Sequence, residues 1–222
     1  MTGAYYTRIC DRILIDKLAA KGAVLVKGAK WCGKTTSAAH VAKSVVYMED
    51  PARKRQYLEL ADMNPGELLR GEVPRLLDEW QLAPKLWDAV RFEVDKRDEF
   101  GQFILTGSAV PPDISDISHT GTGRITSLLM RPMSLFESGD SNGSVSLRAL
   151  FSKERDIRGA SEHSLDDMAF LICRGGWPKA IGTSKKIALA QAPDYYDAVV
   201  ESDISRVDNV ARDPERVRRV MR

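Results

Sequence analysis

The sequence predicts a three-layer α/β sandwich built on a five-stranded parallel sheet, followed by a small helical region. Three observations predict it. Short apolar runs, such as 22–27 and 102–105, alternate with helix-compatible stretches, the order of a parallel sheet joined by helical crossovers. The first run passes straight into Gly28-Ala29-Lys30-Trp31-Cys32-Gly33-Lys34-Thr35, after which small, helix-compatible residues follow. A later run ends in the acidic pair Asp78-Glu79. Right-handed crossovers would place helices on both faces of such a sheet.

A chain of 222 residues is long enough for one sizeable α/β domain, or one domain with a small appendage. With 43% hydrophobic and 29% charged residues it reads as an ordinary soluble globular protein. A net charge of +2 is too mild to argue for nucleic acid by itself. Cys10, Cys32 and Cys173 lie far apart, which excludes a disulfide framework or zinc spacing and points to a reducing compartment. The N-terminus has no apolar signal core and no apolar run is long enough to cross a bilayer, so no membrane partner and a cytoplasmic location are expected.

Residues 1–21 read as a lead-in helix, with Ile9, Ile13, Leu14 and Leu18 at helical spacing and Arg8, Asp11, Arg12 and Lys17 elsewhere on it. Packing on a sheet edge accounts for it; contact of Tyr5 or Arg8 with a nucleotide base is the alternative. Strand one is 22–27. The next eight residues fit G-x-x-x-x-G-K-[ST], the phosphate-binding loop. Glycine lets this backbone turn tightly and approach a polyphosphate. Successive N–H groups then point at phosphate oxygens, and a helix from about 34 to 43 adds the positive end of its dipole. In that chemistry Gly28, Ala29, Lys30, Trp31, Cys32, Gly33 and Thr36 surround the phosphates. Lys34 reaches the β- and γ-phosphates, and the Thr35 hydroxyl ligates Mg²⁺.

Strand two is 44–49. Its carboxyl end carries Glu49-Asp50, either ligand groups or a solvated loop. Pro51 opens a helix, and 64–71 is a turn with a short helix. The run 73–81 is a short strand ending in Asp78-Glu79, the Walker B pattern, although Pro74 and Arg75 interrupt its start. Asp78 can hold Mg²⁺, and Glu79 can orient or deprotonate the water that attacks the γ-phosphate. Leu82, Leu86, Ala89, Val90 and Val94 form the apolar face of the next helix, with Trp80 and Trp87 as packing residues. Strand four, 102–108, ends in hydroxyls. Thr106 or Ser108 suits a sensor that touches the γ-phosphate or the attacking water; a plain strand-end turn is the alternative. His119, in the loop after it, reads as a surface residue. Arg124 precedes strand five, 125–130. It is either a surface arginine or one that stabilises transition-state charge on a neighbour's nucleotide.

Residues 1–137 thus form the core and 138–164 a Gly/Ser/Asn-rich and then polar linker, poorly ordered over 147–163. A helical region, 165–222, has helices near 166–172 and 187–200 around a sharp turn at 174–178. Its last residues, 211–222, interleave arginines with acids and read as a solvated helix face rather than a nucleic-acid patch.

Together GAKWCGKTT, LLDEWQ, ILTGSA, the Gly-Arg before strand five, RPMSLFE and RGGWP resemble the bacterial and archaeal AAA-type P-loop ATPases that carry an uncharacterised C-terminal domain. The resemblance implies an ATP-binding core of the additional-strand class, with strand 44–49 between the loop strand and the Asp-Glu strand. It implies ATP rather than GTP, a Mg²⁺ ion, and the roles above for Lys34, Thr35, Asp78, Glu79, Thr106, Ser108 and Arg124. Residues 165–222 become a helical lid or winged-helix-like region leading to a C-terminal domain that is missing here, so the chain is expected to be a truncated form or a fragment. The expected function is Mg²⁺-dependent ATP hydrolysis, with Arg124 completing a neighbour's site in a homo-oligomer. The residues leave open a non-hydrolysing switch that controls a partner or DNA contact, a small-molecule kinase, and an ATP-driven nucleic-acid-binding protein.

Overall fold

The structure is a computed structural model and describes residues 5–107, 121–152, 157–204, 210 and 212–221. Five parallel strands form one sheet: β1 (Ala23–Gly28), β2 (Ser44–Tyr47), β3 (Arg75–Asp78), β4 (Phe103–Thr106) and β5 (Ile125–Met130), in the spatial order β2-β3-β4-β1-β5. The α/β class and the sheet are as the sequence predicts. One placement is not. The strand between the loop strand β1 and the Asp-Glu strand β3 is β4, and β2 pairs with β3 at the sheet edge. Sequence order does not dictate spatial order when every connection is a crossover, so proximity in the chain misplaces β2.

Alternation along the strands sorts the core into two layers, because successive side chains of a strand face opposite sides. Ala23, Leu25, Leu77, Phe103 and Leu105 pack on one face beneath α4 (Lys85–Arg97), joined by Leu68 and Leu69 of the short 3₁₀ helix Pro65–Leu69 and by Ala61 of α3 (Lys54–Met63). Val24, Val26, Leu76, Ile104 and Leu128 pack on the other, beneath α1 (Ile9–Leu18) and α2 (Lys34–Val41). Leu76, Leu77, Phe103, Ile104 and Leu105 are fully buried. Each such side chain contributes about 1.5–3 kcal/mol over leaving it exposed, so the rigid centre of the molecule is β3 and β4, the strands that end in Asp78 and Thr106.

On α1 the inward positions are Leu14 and Leu18, while Ile9 and Ile13 face outward. On α4 the buried residues are Leu86, Val90 and Val94, one turn apart, as the sequence pattern requires. Pro74 does not break β3. The strand starts directly after it, the Pro74 carbonyl accepts from Lys43 N (2.8 Å), and Arg75 is the first paired residue. Trp80 is buried against Trp87, ring centroids 5.1 Å apart, in a packing role.

Beyond the sheet lie α5 (Leu147–Phe151), a short helix inside the stretch expected to be poorly ordered, α6 (Leu165–Arg174) and α7 (Lys185–Ala198). A widened turn, Val199–Asp203, continues α7, and α8 (Pro214–Val220) follows. Ser164 caps α6 by accepting from Asp167 N, and the Asp167 carboxylate accepts from Ser164 N in return. The Arg174-to-Pro178 turn returns to the core: Met133 N donates to Gly176 O (2.7 Å), and a Cβ on Gly176 would lie 2.2 Å from Met133 O. Asp140 is tied down as well, through an ion pair with Arg174 (2.7 Å) and through its carbonyl, on which His163 Nε2 sits (2.6 Å). Among the described residues no helix is long and apolar enough to cross a membrane.

Candidate functional site

The loop between β1 and α2 turns through residues in left-handed conformations. Trp31 has φ 62°, and Gly33, which caps α2, has φ 99°. Gly28 meets a different constraint: a Cβ there would lie 2.1 Å from Met130 O of β5. These are the positions where the glycines of the motif act, one for conformation and one for close approach. Cys32 is fully buried beneath the loop and packs with the core. Lys34 is buried, and its ammonium donates to the carbonyls of Gly28 and Ala29, each at 2.9 Å. The cation is therefore folded back across the loop that it closes.

Parallel pairing then brings the acidic strand end to the loop. Tyr47, Asp78 and Thr106 stand in register at the carboxyl ends of β2, β3 and β4. Asp78 Oδ1 accepts from Thr35 Oγ1 (2.7 Å) and from Thr106 Oγ1 (2.5 Å). One carboxylate oxygen thus ties together the start of α2, β3 and β4. Glu79 follows in a left-handed conformation, φ 57°, that turns its side chain off the strand. Burial pushes its carboxyl above the ordinary range; the Gln81 amide opposes this, Asp78 and Glu49 add to it, and Lys34 opposes it. Gln81 Nε2 donates to Glu79 Oε2. Gln81 is buried against Gly107, where a Cβ would lie 1.9 Å from Gln81 Oε1.

Beside the loop a pocket of about 160 Å³ is bounded by Tyr5, Tyr6, Arg8, Gly33, Thr36, Ser37, Met133 and Pro178. Its walls join the segment before α1, the first turn of α2 and the turn after α6. Tyr5 is not free to reach into it. Its ring stacks on His40 (4.0 Å between centroids), and its hydroxyl donates to Asp11 Oδ1 (2.8 Å) and lies 3.0 Å from Ser37 Oγ. The remaining loop residues face the helical region: Lys30 pairs with Asp203 (2.5 Å), and Trp31 meets Tyr195 edge-on (5.6 Å).

Gly28, Ala29, Lys30, Trp31, Cys32, Gly33, Lys34, Thr35 and Thr36 therefore lie on or at one loop, with Asp78, Glu79 and Thr106 beside it. Ser108 and His119 lie outside the described residues. Arg124 is not brought to this site. Its carbonyl accepts from Ala23 N at the amino end of β1, whereas the loop leaves the carboxyl end, five residues or roughly 17 Å along the strand. There it pairs with Asp95 (2.6 Å). Sequence reasoning placed no role on Gln81, although the spacing Asp-Glu-x-Gln marks it. It set Arg8 on the lead-in helix away from the apolar positions, with contact to a nucleotide base as the alternative; Arg8 stands just before α1, buried behind the loop.

A sequence profile described as an AAA domain matches residues 20–138, more than half of the chain and every strand of the sheet. The chain belongs to the AAA domain family. The family carries a nucleotide-binding, ATPase-type function, and the loop, the Asp-Glu strand end and the strand order of this AAA domain agree with it. Comparison with curated proteins gives no match.

Proposed function

We propose that this AAA domain binds Mg·ATP and hydrolyses it to ADP and phosphate. The observation that carries the proposal is the meeting of Thr35 and Asp78, 2.7 Å apart, beside Lys34 and Glu79. A hydroxyl and a carboxylate are hard oxygen donors of the kind Mg²⁺ takes together with phosphate oxygens and water, so the residues fit the ion. Thr35 and Asp78 would hold it, and its charge would offset that of the β- and γ-phosphates. Lys34 exchanges its two loop carbonyls for those phosphates, while backbone N–H groups across Gly28–Thr36 take the remaining oxygens. Glu79, next to Asp78 and held by Gln81, orients the attacking water and accepts its proton. Thr106 senses the site through Asp78, with Ser108 two residues further on. The pocket at Tyr6, Met133 and Pro178 takes the base.

Arg124 stands at the far end of the strands, so its part in this reading is on the nucleotide of a neighbouring copy in a homo-oligomer. Residues 1–137 act as the ATPase core and 138–164 as the connection. Residues 165–222 act as a helical lid that carries the nucleotide state toward a protein or nucleic-acid partner.

Phosphate release from the purified chain with Mg·ATP tests the proposal. Wild type is expected to turn over, with a specific rate that climbs with protein concentration. Lys34→Ala and Glu79→Gln are each expected to lose about 100-fold or more in rate, Glu79→Gln while still binding ATP. Wild type that binds ATP through Lys34 yet releases no phosphate would be a nucleotide switch, and the hydrolytic reading falls. Phosphate transferred to an added acceptor would make it a kinase.

A further inference from the structure

Arg8 stands just before α1 and is 5% exposed. Each of its guanidinium nitrogens has a partner: Nε donates to Glu137 Oε1 (3.0 Å), Nη1 to the Cys32 carbonyl (2.8 Å) and Nη2 to the Arg131 carbonyl (2.8 Å). Glu137 is itself fixed, accepting from Ile9 N (2.8 Å), Ser134 N (2.7 Å) and Ser134 Oγ (2.9 Å). The guanidinium is thus anchored from behind by a braced carboxylate, and it presents one N–H directly to the phosphate loop.

The peptide it grips is the one that leads into Gly33. A peptide unit is planar and trans, so its C=O and the following N–H point in opposite directions. Holding the Cys32 carbonyl on Arg8 therefore aims the Gly33 N–H to the far side of the peptide, away from Arg8. Gly33 has φ 99° and lacks a Cβ, so steric hindrance alone does little to keep this peptide from turning over. In a loop whose backbone N–H groups take phosphate, that turn would swap a donor for a carbonyl oxygen. We infer that Arg8 is a positioning residue for nucleotide binding, locking the Cys32–Gly33 peptide so that its N–H faces the phosphates. The inference rests on the reading of this loop as the nucleotide site. It gives a second role to a residue that would otherwise only tie α1 to the end of β5.

The test is titration of the full chain with a fluorescent ATP analogue, mant-ATP, in Mg²⁺, beside thermal unfolding. The variants are Arg8→Lys, Leu18→Ala and Lys34→Ala. Lysine keeps the charge opposite Glu137 but cannot make the three-way fork. Leu18→Ala loosens α1 from the sheet without touching the loop, and so controls for stability. Arg8→Lys is expected to raise the Kd about tenfold, equivalent to about 1.4 kcal/mol, while Leu18→Ala lowers Tm by at least as much and leaves Kd within about twofold. An unchanged Kd in Arg8→Lys, or an equal rise in Leu18→Ala, overturns the inference. If Lys34→Ala loses binding while Arg8→Lys binds as wild type, the site reading stands and this inference alone fails. If wild type does not bind mant-ATP, both fall. Should Arg8→Lys not fold, isosteric Glu137→Gln loosens the same guanidinium, with an expected rise in Kd of about threefold against the same control.

Discussion

Glu137 shows how a single carboxylate can be pulled in two directions. Burial pushes its carboxyl up, yet the backbone N–H groups of Ser134 and Ile9, the Arg8 guanidinium and the Ser134 hydroxyl together hold it below the ordinary value of 4.5. A carboxylate whose folded value is depressed contributes stability that is complete above its unfolded value and is lost as pH falls through the folded one. Asp140 behaves alike: burial raises it, but Arg174 and Ser138 outweigh that. Urea unfolding between pH 7 and pH 3 is therefore expected to show stability falling on the acid side of about 4.5, with a shallower slope in Glu137→Gln. An unchanged slope in that variant would mean Glu137 titrates alike in both states. The residues proposed to carry the chemistry were legible in the chain because motifs mark them: Lys34 and Thr35 stand on the loop after β1, and Asp78 and Glu79 at the end of β3 beside it. Arg8 was not, because its three partners lie 24, 123 and 129 residues away and nothing local marks a buried arginine.

Elements were legible where pattern and length agree, and less so where neighbours in space decide. The five strands and α4 follow from apolar runs and one-turn spacing, but the edge position of β2 does not, since every strand here is joined to the next by a crossover. Arg75 explains how a strand can begin on a charged residue after a proline. Its Nε donates to the Leu68 carbonyl (2.7 Å) and its Nη1 to Ser44 Oγ (2.8 Å) of β2, so it clamps the edge strand and the 3₁₀ helix to β3. Burial lowers its pKa, as the hydration it has given up requires, with the Tyr57 hydroxyl opposing. Gly71 leaves the space for it: a Cβ there would lie 2.1 Å from Arg75 Nη1. Arg75→Ala leaves a buried carbonyl and a hydroxyl without this donor, and is expected to lower unfolding stability by roughly 1.5–3 kcal/mol. Equilibrium unfolding in urea reads this as a lower midpoint at unchanged slope. A midpoint equal to wild type would show that Arg75 merely occupies the edge.

At the scale of the whole molecule, the helical region is fastened to the same loop that carries the site. Lys30 pairs with Asp203, Trp31 meets Tyr195 edge-on, and Tyr195 meets Trp177 edge-on at 4.8 Å. The ion pair is partly exposed and carries little energy. The aromatic chain is the stronger tie, about 0.5–1.5 kcal/mol for each pair beyond simple burial. Tyr195 is its centre, since it touches one tryptophan on the loop and one on the turn after α6. Trp80 and Trp87 pack on each other in the core layer beneath α4, outside this aromatic chain. Tyr195→Ala is therefore expected to shift tryptophan emission to the red through Trp31 and Trp177 alone, and to lower stability by roughly 1–3 kcal/mol. Emission from a Trp31→Phe, Tyr195→Ala double variant assigns the shift: if half or more of it disappears, the loop and the helical region move as one unit. If emission and midpoint both stay at wild-type values, the aromatic chain does not join them and the helical region is held by the Gly176–Met133 turn and the Arg174–Asp140 pair.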